Sequence, residues 1–145
     1  MSSTSRWSDP EVAREILQSF KVWAVVGCSP DPMRPSHGVS RTLQRSGFEM
    51  IPIYPRDATI HGVPTVPDLA TAAAARPPDG PIEVVDIFRA SHRAGAHLDE
   101  AIAIGAKAVW LQLGVWDESA AERAAAAGLL VVMNRCPAID IPALL

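Results

Sequence analysis

The sequence predicts an α/β fold in three layers, with a mostly parallel sheet of about five strands and helices on both faces. Short apolar runs rich in Val and Ile alternate with longer helix-like segments, which is typical of β-α-β units. Each run is almost continuously apolar, as expected for strands that are buried on both faces of a parallel sheet. The runs are Val22–Gly27, Phe48–Ile53, Ile82–Phe88, Ala108–Leu113 and Leu129–Met133.

Helices are predicted between these runs. Three of the segments end next to a glycine, a residue suited to the left-handed stop of a helix, and each glycine comes just before the next strand. The predicted helices are Pro10–Phe20, Ser36–Ser46, His92–Ile104 and Glu118–Ala127. The stretch from residue 56 to residue 80 contains four prolines and is predicted to be a loop with one short helix, Asp68–Ala75.

Length and composition predict one domain spanning residues 1–145, with residues 1–20 forming an N-terminal helical segment that packs on it. A net charge of -3 with 20% charged residues gives no general affinity for nucleic acid or for an anionic membrane. No apolar run approaches the roughly 20 residues of a membrane span, and the Ser-rich start lacks the pattern of a secretory signal. We therefore expect a cytoplasmic protein, with Cys28 and Cys136 as free thiols and no metal site.

The segment Gly27–Ser36, between the first strand and the next helix, is the candidate ligand-binding loop. In an open parallel sheet, ligands bind beyond the carboxyl ends of the strands. Gly27 permits close approach of a ligand, while Ser29 and Ser36 supply hydroxyl and N–H groups at a helix start that attracts phosphate. Arg34 adds a charged contact. The loop predicts a pyrophosphate ligand; the alternative is a plain Pro-rich turn with Arg34 in solvent.

The loops after the first and second strands indicate the type of nucleotide. The G-x-G-x-x-G fingerprint of dinucleotide binders is absent, because only Gly27 is in place. After the second strand, where such proteins usually have an acidic residue for the ribose, this chain has Tyr54 and Arg56. Arginine suits a ribose that carries an extra phosphate, as in coenzyme A. Asp57 follows closely and keeps an NAD-type nucleotide as an alternative.

Four groups of residues carry a resemblance to a known family. They are Val26-Gly27-Cys28-Ser29 with Arg34-Pro35-Ser36, Val85-Asp86-Ile87-Phe88-Arg89, Val109-Trp110-Leu111-Gln112-Leu113-Gly114, and Asn134-Arg135-Cys136-Pro137-Ala138-Ile139. With these motifs, in this order, the chain resembles the small stand-alone CoA-binding protein family, whose domain is similar to the CoA-binding part of succinyl-CoA synthetase. The resemblance runs from about Lys21 to the C-terminus. It implies a Rossmann-like fold that holds coenzyme A, with no established reaction.

The resemblance also implies where the ligand binds. The residues expected to contact coenzyme A or acyl-CoA are Gly27, Cys28, Ser29, Arg34, Pro35, Ser36, Val39, Tyr54, Pro55, Arg56, Phe88, Arg89 and Gln112. The resemblance implies five of them around the phosphates, namely Gly27, Ser29, Arg34, Ser36 and Val39. It places Pro55 and Arg56 near the nucleotide end, with Phe88 and Arg89 flanking the pocket. Gln112 presents its amide either to the ligand or to a neighbouring loop. Tyr54, where relatives have Asn before Pro, and Asn134, where they often have Asp, depart from the family pattern.

Three functions are compatible with this sequence. The first is a CoA-binding module with no catalysis of its own. The second is a regulatory subunit that works beside a partner or as a homo-oligomer, and the third is an enzyme acting on a CoA thioester or thiol through Cys136 or Cys28. No catalytic residue is assigned, since no Ser/His/Asp set or carboxylate pair is recognisable from the spacing. His61, His92 and His97 are interpreted as surface residues.

Overall fold

A computed structural model describes residues 6–145 of the chain. The helices are α1 (Pro10–Ser19), α2 (Pro35–Arg45), α3 (Leu69–Ala74), α4 (Ser91–Ala103), α5 (Glu118–Ala126) and α6 (Pro137–Leu144). The strands are β1 (Val22–Val26), β2 (Glu49–Ile53), β3 (Thr59–Ile60), β4 (Val63–Pro64), β5 (Val84–Ile87), β6 (Ala108–Leu111) and β7 (Leu130–Val132). The start of the predicted N-terminal segment, residues 1–5, lies outside the described residues.

The main sheet has five strands in the order β2-β1-β5-β6-β7, and all its neighbouring pairs are parallel. Val26, at the end of β1, is in register with Ile53 of β2 on one side and Ile87 of β5 on the other. The chain thus leaves β1 toward one edge of the sheet and later returns to its other side. The carboxyl ends of β1 and β5 therefore form the topological switch point, where open α/β sheets bind their ligands.

The two faces of the sheet are covered by different helices, which confirms the predicted three-layer arrangement. Trp23 and Val25 of β1 pack with α1, α2 and α6 in one apolar cluster. Ala24 and Val26 face the opposite way and pack with α3, α4 and α5 in a second cluster. This alternation follows from the two-residue period of a strand, and it explains why nearly every strand residue is apolar.

The predicted helices agree with the structure to within one residue at each end. Asp117 caps the start of α5, since its Oδ1 accepts a hydrogen bond from the N–H of Ala120 at 3.0 Å. Asp9 caps α1 in the same manner, with 2.8 Å between its Oδ1 and the nitrogen of Glu11. Among residues 6–145, no helix combines the length and the hydrophobicity needed to cross a membrane.

Two elements depart from the sequence prediction. The stretch predicted as a loop with one helix also contains the antiparallel β3–β4 pair, whose two-residue strands are too short to show a periodic pattern. The C-terminal helix α6 was not predicted, and it contains Pro142, a residue that is unfavourable inside a helix. Its start is held by Arg135, which forms two hydrogen bonds with the buried carboxylate of Asp140, at 2.7 and 2.9 Å.

Candidate functional site

A cavity of about 790 Å³ lies at the carboxyl edge of the sheet. Its wall contains residues that follow four neighbouring strands: Tyr54 after β2, Gly27 after β1, Phe88 after β5 and Gln112 after β6. The cavity thus crosses the switch point and continues on both sides of it. A space of this volume is typical of a site for a cofactor-sized molecule.

Gly27 turns the chain from β1 into the cavity wall. Its φ is +76°, in the left-handed region, and a Cβ atom at this position would lie 2.5 Å from the carbonyl oxygen of Phe88. Its N–H and that of Cys28 both donate to the carbonyl oxygen of Ile53, at 3.1 and 3.2 Å. Glycine is therefore required both by the backbone conformation and by the space available.

The serines of the loop shape the turn itself. The N–H of Ser29 donates to Ser36 Oγ at 3.0 Å, and Ser29 Oγ accepts from the N–H of Asp31 at 3.0 Å. The helix α2 then begins with Pro35, and Arg34 at its N-cap gives no side-chain cap. The positive end of the helix dipole is consequently left open beside the cavity, which favours an anion there.

Two guanidinium groups stand at the same part of the wall. Arg34 and Arg89 both line the cavity. Within residues 6–145, neither is engaged in an ion pair, whereas Arg6, Arg14, Arg76, Arg123 and Arg135 all are. Their charge is thus available to a ligand. Together with the start of α2, they make the switch point the cationic part of the cavity.

The end of the cavity near β2 is acidic. Asp68 and Glu100 line it together with His97, whose Nδ1 lies 2.6 Å from Glu100 Oε1. Asp68 reaches this wall because Val66 pairs with the end of β2 and directs the chain past it. Hydrogen bonds from Thr71 hold the pKa of the Asp68 carboxyl below its usual value. A carboxylate that caps the start of α3 therefore lines the cavity here.

The sequence did not predict this acidic end. His97 was interpreted as a surface residue, but it is half-buried in the cavity wall. Asp68 is the N-cap of α3, and His97 and Glu100 lie on α4; the packing of these two helices is not encoded in any local pattern. The spacing of His97 and Glu100, three residues apart on one helix, was the only signal in the sequence that these two side chains meet.

The other end of the cavity is bounded by Gln112 and Cys136. Gln112 is 7% exposed, and its Nε2 donates to Oδ1 of Asp86 at 2.6 Å. Asp86 is fully buried, and desolvation raises the pKa of its carboxyl to about 8. Burial also raises the pKa of the Cys136 thiol. This end therefore offers polar but largely uncharged groups.

The structure brings most of the predicted site residues into one wall. Those that line the cavity are Gly27, Ser29, Arg34, Pro35, Ser36, Val39, Tyr54, Pro55, Phe88, Arg89 and Gln112. Cys28 and Arg56 are not among the lining residues. The Cys28 side chain is buried on the α1, α2 and α6 side of the sheet, and desolvation raises its pKa to about 11. Arg56 is exposed on the loop after β2.

Comparison with known proteins identifies the family. Residues 21–142 match the family described as "CoA binding domain". The chain belongs to this family. The match confirms the resemblance seen in the sequence motifs, and every residue in the wall of the cavity lies within the matched part of this CoA-binding domain.

Individual relatives match the CoA-binding domain over most of its length. The uncharacterized protein YneT of Bacillus subtilis is 37% identical over 123 residues, which cover 85% of this chain and 87% of that protein. A hypothetical protein from Pyrococcus horikoshii OT3 has a similar structure, with a TM-score of 0.82, 33% identity, and coverage of 94% of this chain and 92% of that one. Prb, a redesigned protein, has a TM-score of 0.83 at 34% identity, with the same coverage.

Proposed function

We propose that this protein binds coenzyme A or acyl-CoA in the cavity at the switch point and acts as a binding or regulatory module without chemistry of its own. The observation that carries the proposal is the cavity itself. It runs along the carboxyl edge of the sheet, and the Gly27 turn, Arg34 and Arg89 all line it. The family supports a ligand of the CoA type. The arrangement supports an elongated ligand with its anionic group in the middle.

The pyrophosphate is assigned to the central part of the cavity. Its negative charges would be balanced by the guanidinium groups of Arg34 and Arg89 and by the open start of α2. The missing side chain of Gly27 leaves the backbone of the turn accessible to it. A divalent cation is not needed for this neutralisation.

The nucleoside is assigned to the end near β2. Tyr54 and Pro55 follow that strand, while Pro67 and Leu69 add apolar surface opposite them. An adenine ring between such groups would be shielded from solvent and would gain contacts on both faces. Arg56, which the sequence suggested for the ribose phosphate of coenzyme A, lies outside the cavity wall, so that phosphate would have to extend toward solvent to reach it.

An NAD-type nucleotide is the second candidate, and Asp68 is the observation that favours it. Dinucleotide-binding sites commonly hold the ribose hydroxyls with an acidic side chain near the end of the second strand. Asp68 offers such a carboxylate in the cavity wall, on the segment that pairs with β2. The same carboxylate would repel a ribose phosphate placed beside it.

Thiol chemistry is not favoured by the environment of either cysteine. A reactive cysteine is a thiolate near neutral pH, which requires a lowered pKa. Burial instead raises the pKa of Cys28 to about 11 and also raises that of Cys136. The proposal therefore assigns Cys136 to the cavity wall as a small, uncharged side chain.

The experiment is calorimetry of the purified chain with coenzyme A, acetyl-CoA, 3′-dephospho-CoA, NAD and ADP. The proposal predicts binding of the CoA species, with acetyl-CoA bound as tightly as coenzyme A because the thiol takes no part. Comparison with 3′-dephospho-CoA measures the contribution of the ribose phosphate. Heat with NAD but none with any CoA species would overturn the proposal in favour of the second candidate.

A further inference from the structure

Gln112 is a nearly buried side chain that faces the cavity with only part of its amide satisfied. Its Nε2 donates to Asp86 Oδ1, and its Oε1 accepts no hydrogen bond from any of the described residues. In that part of the chain, the side-chain polar atoms that are both buried and unpartnered are Trp7 Nε1 and Asp86 Oδ2. Because Gln112 Oε1 is not one of them, it is accessible from the cavity that Gln112 lines.

Asp86 determines which end of this amide meets a ligand. A carboxylate oxygen accepts hydrogen bonds only, and a neutral carboxyl still keeps a carbonyl oxygen that accepts. In either form Oδ1 can accept from the NH₂ group of Gln112, as it does in this structure at 2.6 Å. Since an amide group is planar, fixing its nitrogen on one side directs its oxygen to the other, and the cavity is presented with an acceptor.

The position of Gln112 specifies the part of the ligand that it would meet. It follows β6, whereas the Gly27 turn follows β1, and β5 lies between these two strands. Neighbouring strands are about 4.8 Å apart, so the two positions are separated by about 10 Å along the sheet edge. The nucleoside end lies in the opposite direction, beside β2. Gln112 therefore lies beside whatever is attached to the far side of the pyrophosphate.

We propose that Asp86 is a positioning residue, which fixes the Gln112 amide so that its oxygen accepts a hydrogen bond from an amide N–H on the ligand arm beyond the pyrophosphate. This inference rests on the proposed function, because it needs a nucleotide in the cavity. It adds that the site selects ligands by this arm as well as by the phosphates. Both the pantetheine arm of coenzyme A and the carboxamide of NAD carry such an N–H group.

The burial of Asp86 agrees with a role of this kind. A carboxyl that is fully buried with one oxygen unpartnered destabilises the folded chain. An apolar residue of similar size would avoid that cost, because the strand around it is apolar. The interaction with Gln112 is the one side-chain hydrogen bond that Asp86 makes within residues 6–145. Orientation of the Gln112 amide is thus a role that offsets the cost of burying this carboxyl.

The test compares ligands that differ only in the arm. Coenzyme A is paired with 3′-phospho-ADP, and NAD is paired with ADP, so that each pair shares its nucleotide and pyrophosphate. In whichever pair binds, Gln112→Leu should weaken the affinity for the amide-bearing ligand by about tenfold. The affinity for the other ligand should change by less than about twofold. Gln44→Leu, which replaces a glutamine outside the cavity wall, is the matched control and should change neither ligand.

The role of Asp86 is tested by combining variants. Asp86→Leu should also weaken only the amide-bearing ligand, and Asp86→Asn should restore most of the affinity because it retains an accepting oxygen. In Asp86→Leu with Gln112→Leu, the loss should be no larger than in Gln112→Leu alone, since both act through one hydrogen bond. A merely structural role would weaken both ligands of a pair alike.

Each outcome decides between the two proposals. If no CoA or NAD species binds the unaltered chain, the proposed function fails, whatever the variants do. If the nucleotide binds but Gln112→Leu keeps full affinity for the amide-bearing ligand, the inference about Gln112 is wrong. This test of Gln112 does not depend on Asp86→Leu, so it remains valid if that variant does not fold. Additive losses in the double variant would refute the positioning role of Asp86.

Discussion

The carbonyl oxygen of Phe88 lies 2.5 Å from the position that a Cβ atom on Gly27 would occupy. This close approach joins the ends of β1 and β5 at the switch point and shapes the floor of the cavity. Gly27→Ala should therefore destabilise the fold by about 1–3 kcal/mol, from the positive φ and the steric overlap together, and should also weaken nucleotide binding.

Chemical denaturation measures this effect. Gly38→Ala is the matched control, because Gly38 lies inside α2 and a Cβ atom there meets nothing within 4 Å. That change should stabilise the chain by about 0.5–1 kcal/mol, as alanine is the better helix former. Equal stability of the two variants would contradict the account of the Gly27 turn.

Arg34→Ala should weaken binding of coenzyme A by about 1.5–3 kcal/mol, because it removes a charge-assisted contact with phosphate. The loss should shrink as the salt concentration rises, since Arg34 is exposed and its charge is screened. Arg45→Ala is the control: Arg45 lies in the last turn of the same helix and outside the cavity wall. If both variants bind equally well in calorimetry, Arg34 does not hold the phosphates.

Asp86→Asn should remove a pH dependence of stability. The pKa of Asp86 is about 8 in the folded chain, against an ordinary value of 3.8. Between these values the folded state holds a proton that the unfolded state has lost, so stability decreases as pH rises, by about 1.4 kcal/mol per pH unit at most from this group. Below pH 3.8 both states are protonated and this cost disappears.

Denaturant unfolding at pH 5 and pH 7.5 provides the measurement. The stability of Asp86→Asn relative to the unaltered chain should increase between these two values, since only the carboxyl carries the growing cost. Comparison of the two proteins at each pH cancels the contribution of all other titrating groups. A difference that stays constant across this range would show that Asp86 has no raised pKa.

Alkylation should be slow at both cysteines of the folded chain near neutral pH. Burial raises the pKa of Cys28 to about 11 and also raises that of Cys136, so little thiolate is present. The rate with iodoacetamide, followed by mass spectrometry as a function of pH, gives each apparent pKa. Cys136→Ser should bind coenzyme A normally. Rapid alkylation of Cys136 at pH 7 would revive the alternative of thiol chemistry in the cavity.

Breaking the ion pair of Arg135 and Asp140 should cost about 3 kcal/mol, because Asp140 is buried and would be left with an unpaired charge. Arg135→Met tests this by thermal or chemical unfolding. Arg123→Met is the control, since the pair of Arg123 and Asp99 is about half exposed and should contribute less than about 1 kcal/mol. Similar losses in the two variants would indicate that α6 is not anchored by Arg135.

The strands and most helices were predictable because burial of an element requires a recognisable pattern of residues in its own sequence. A strand covered on both faces must be apolar throughout, as in the run that became β1, and a helix that stops before a strand needs a glycine such as Gly47. The helix α6 shows neither of these sequence patterns. Its position depends on the pairing of Arg135 with Asp140 and on Arg135 donating to the carbonyl oxygen of Ser8, a contact between distant parts of the chain.

The candidate site was predictable only in its central part. Parallel strands bring their carboxyl ends to one edge, so the loop after β1 was the place to search for a phosphate site. The side of the sheet on which Cys28 lies could not be predicted, because the positive φ of Gly27 interrupts the strand alternation just before it. The i, i+3 spacing predicts only that His97 and Glu100 meet on one helix, whereas their approach to Asp68 depends on tertiary packing.

Native mass spectrometry of the purified chain, before and after addition of equal concentrations of coenzyme A and NAD, shows which nucleotide the cavity takes. We expect one CoA species per chain, either already present or taken up from the mixture. The bound species should be lost in Arg34→Ala but not in Arg45→Ala. A chain that is bare on purification, and that then takes up NAD or nothing at all, would contradict this expectation.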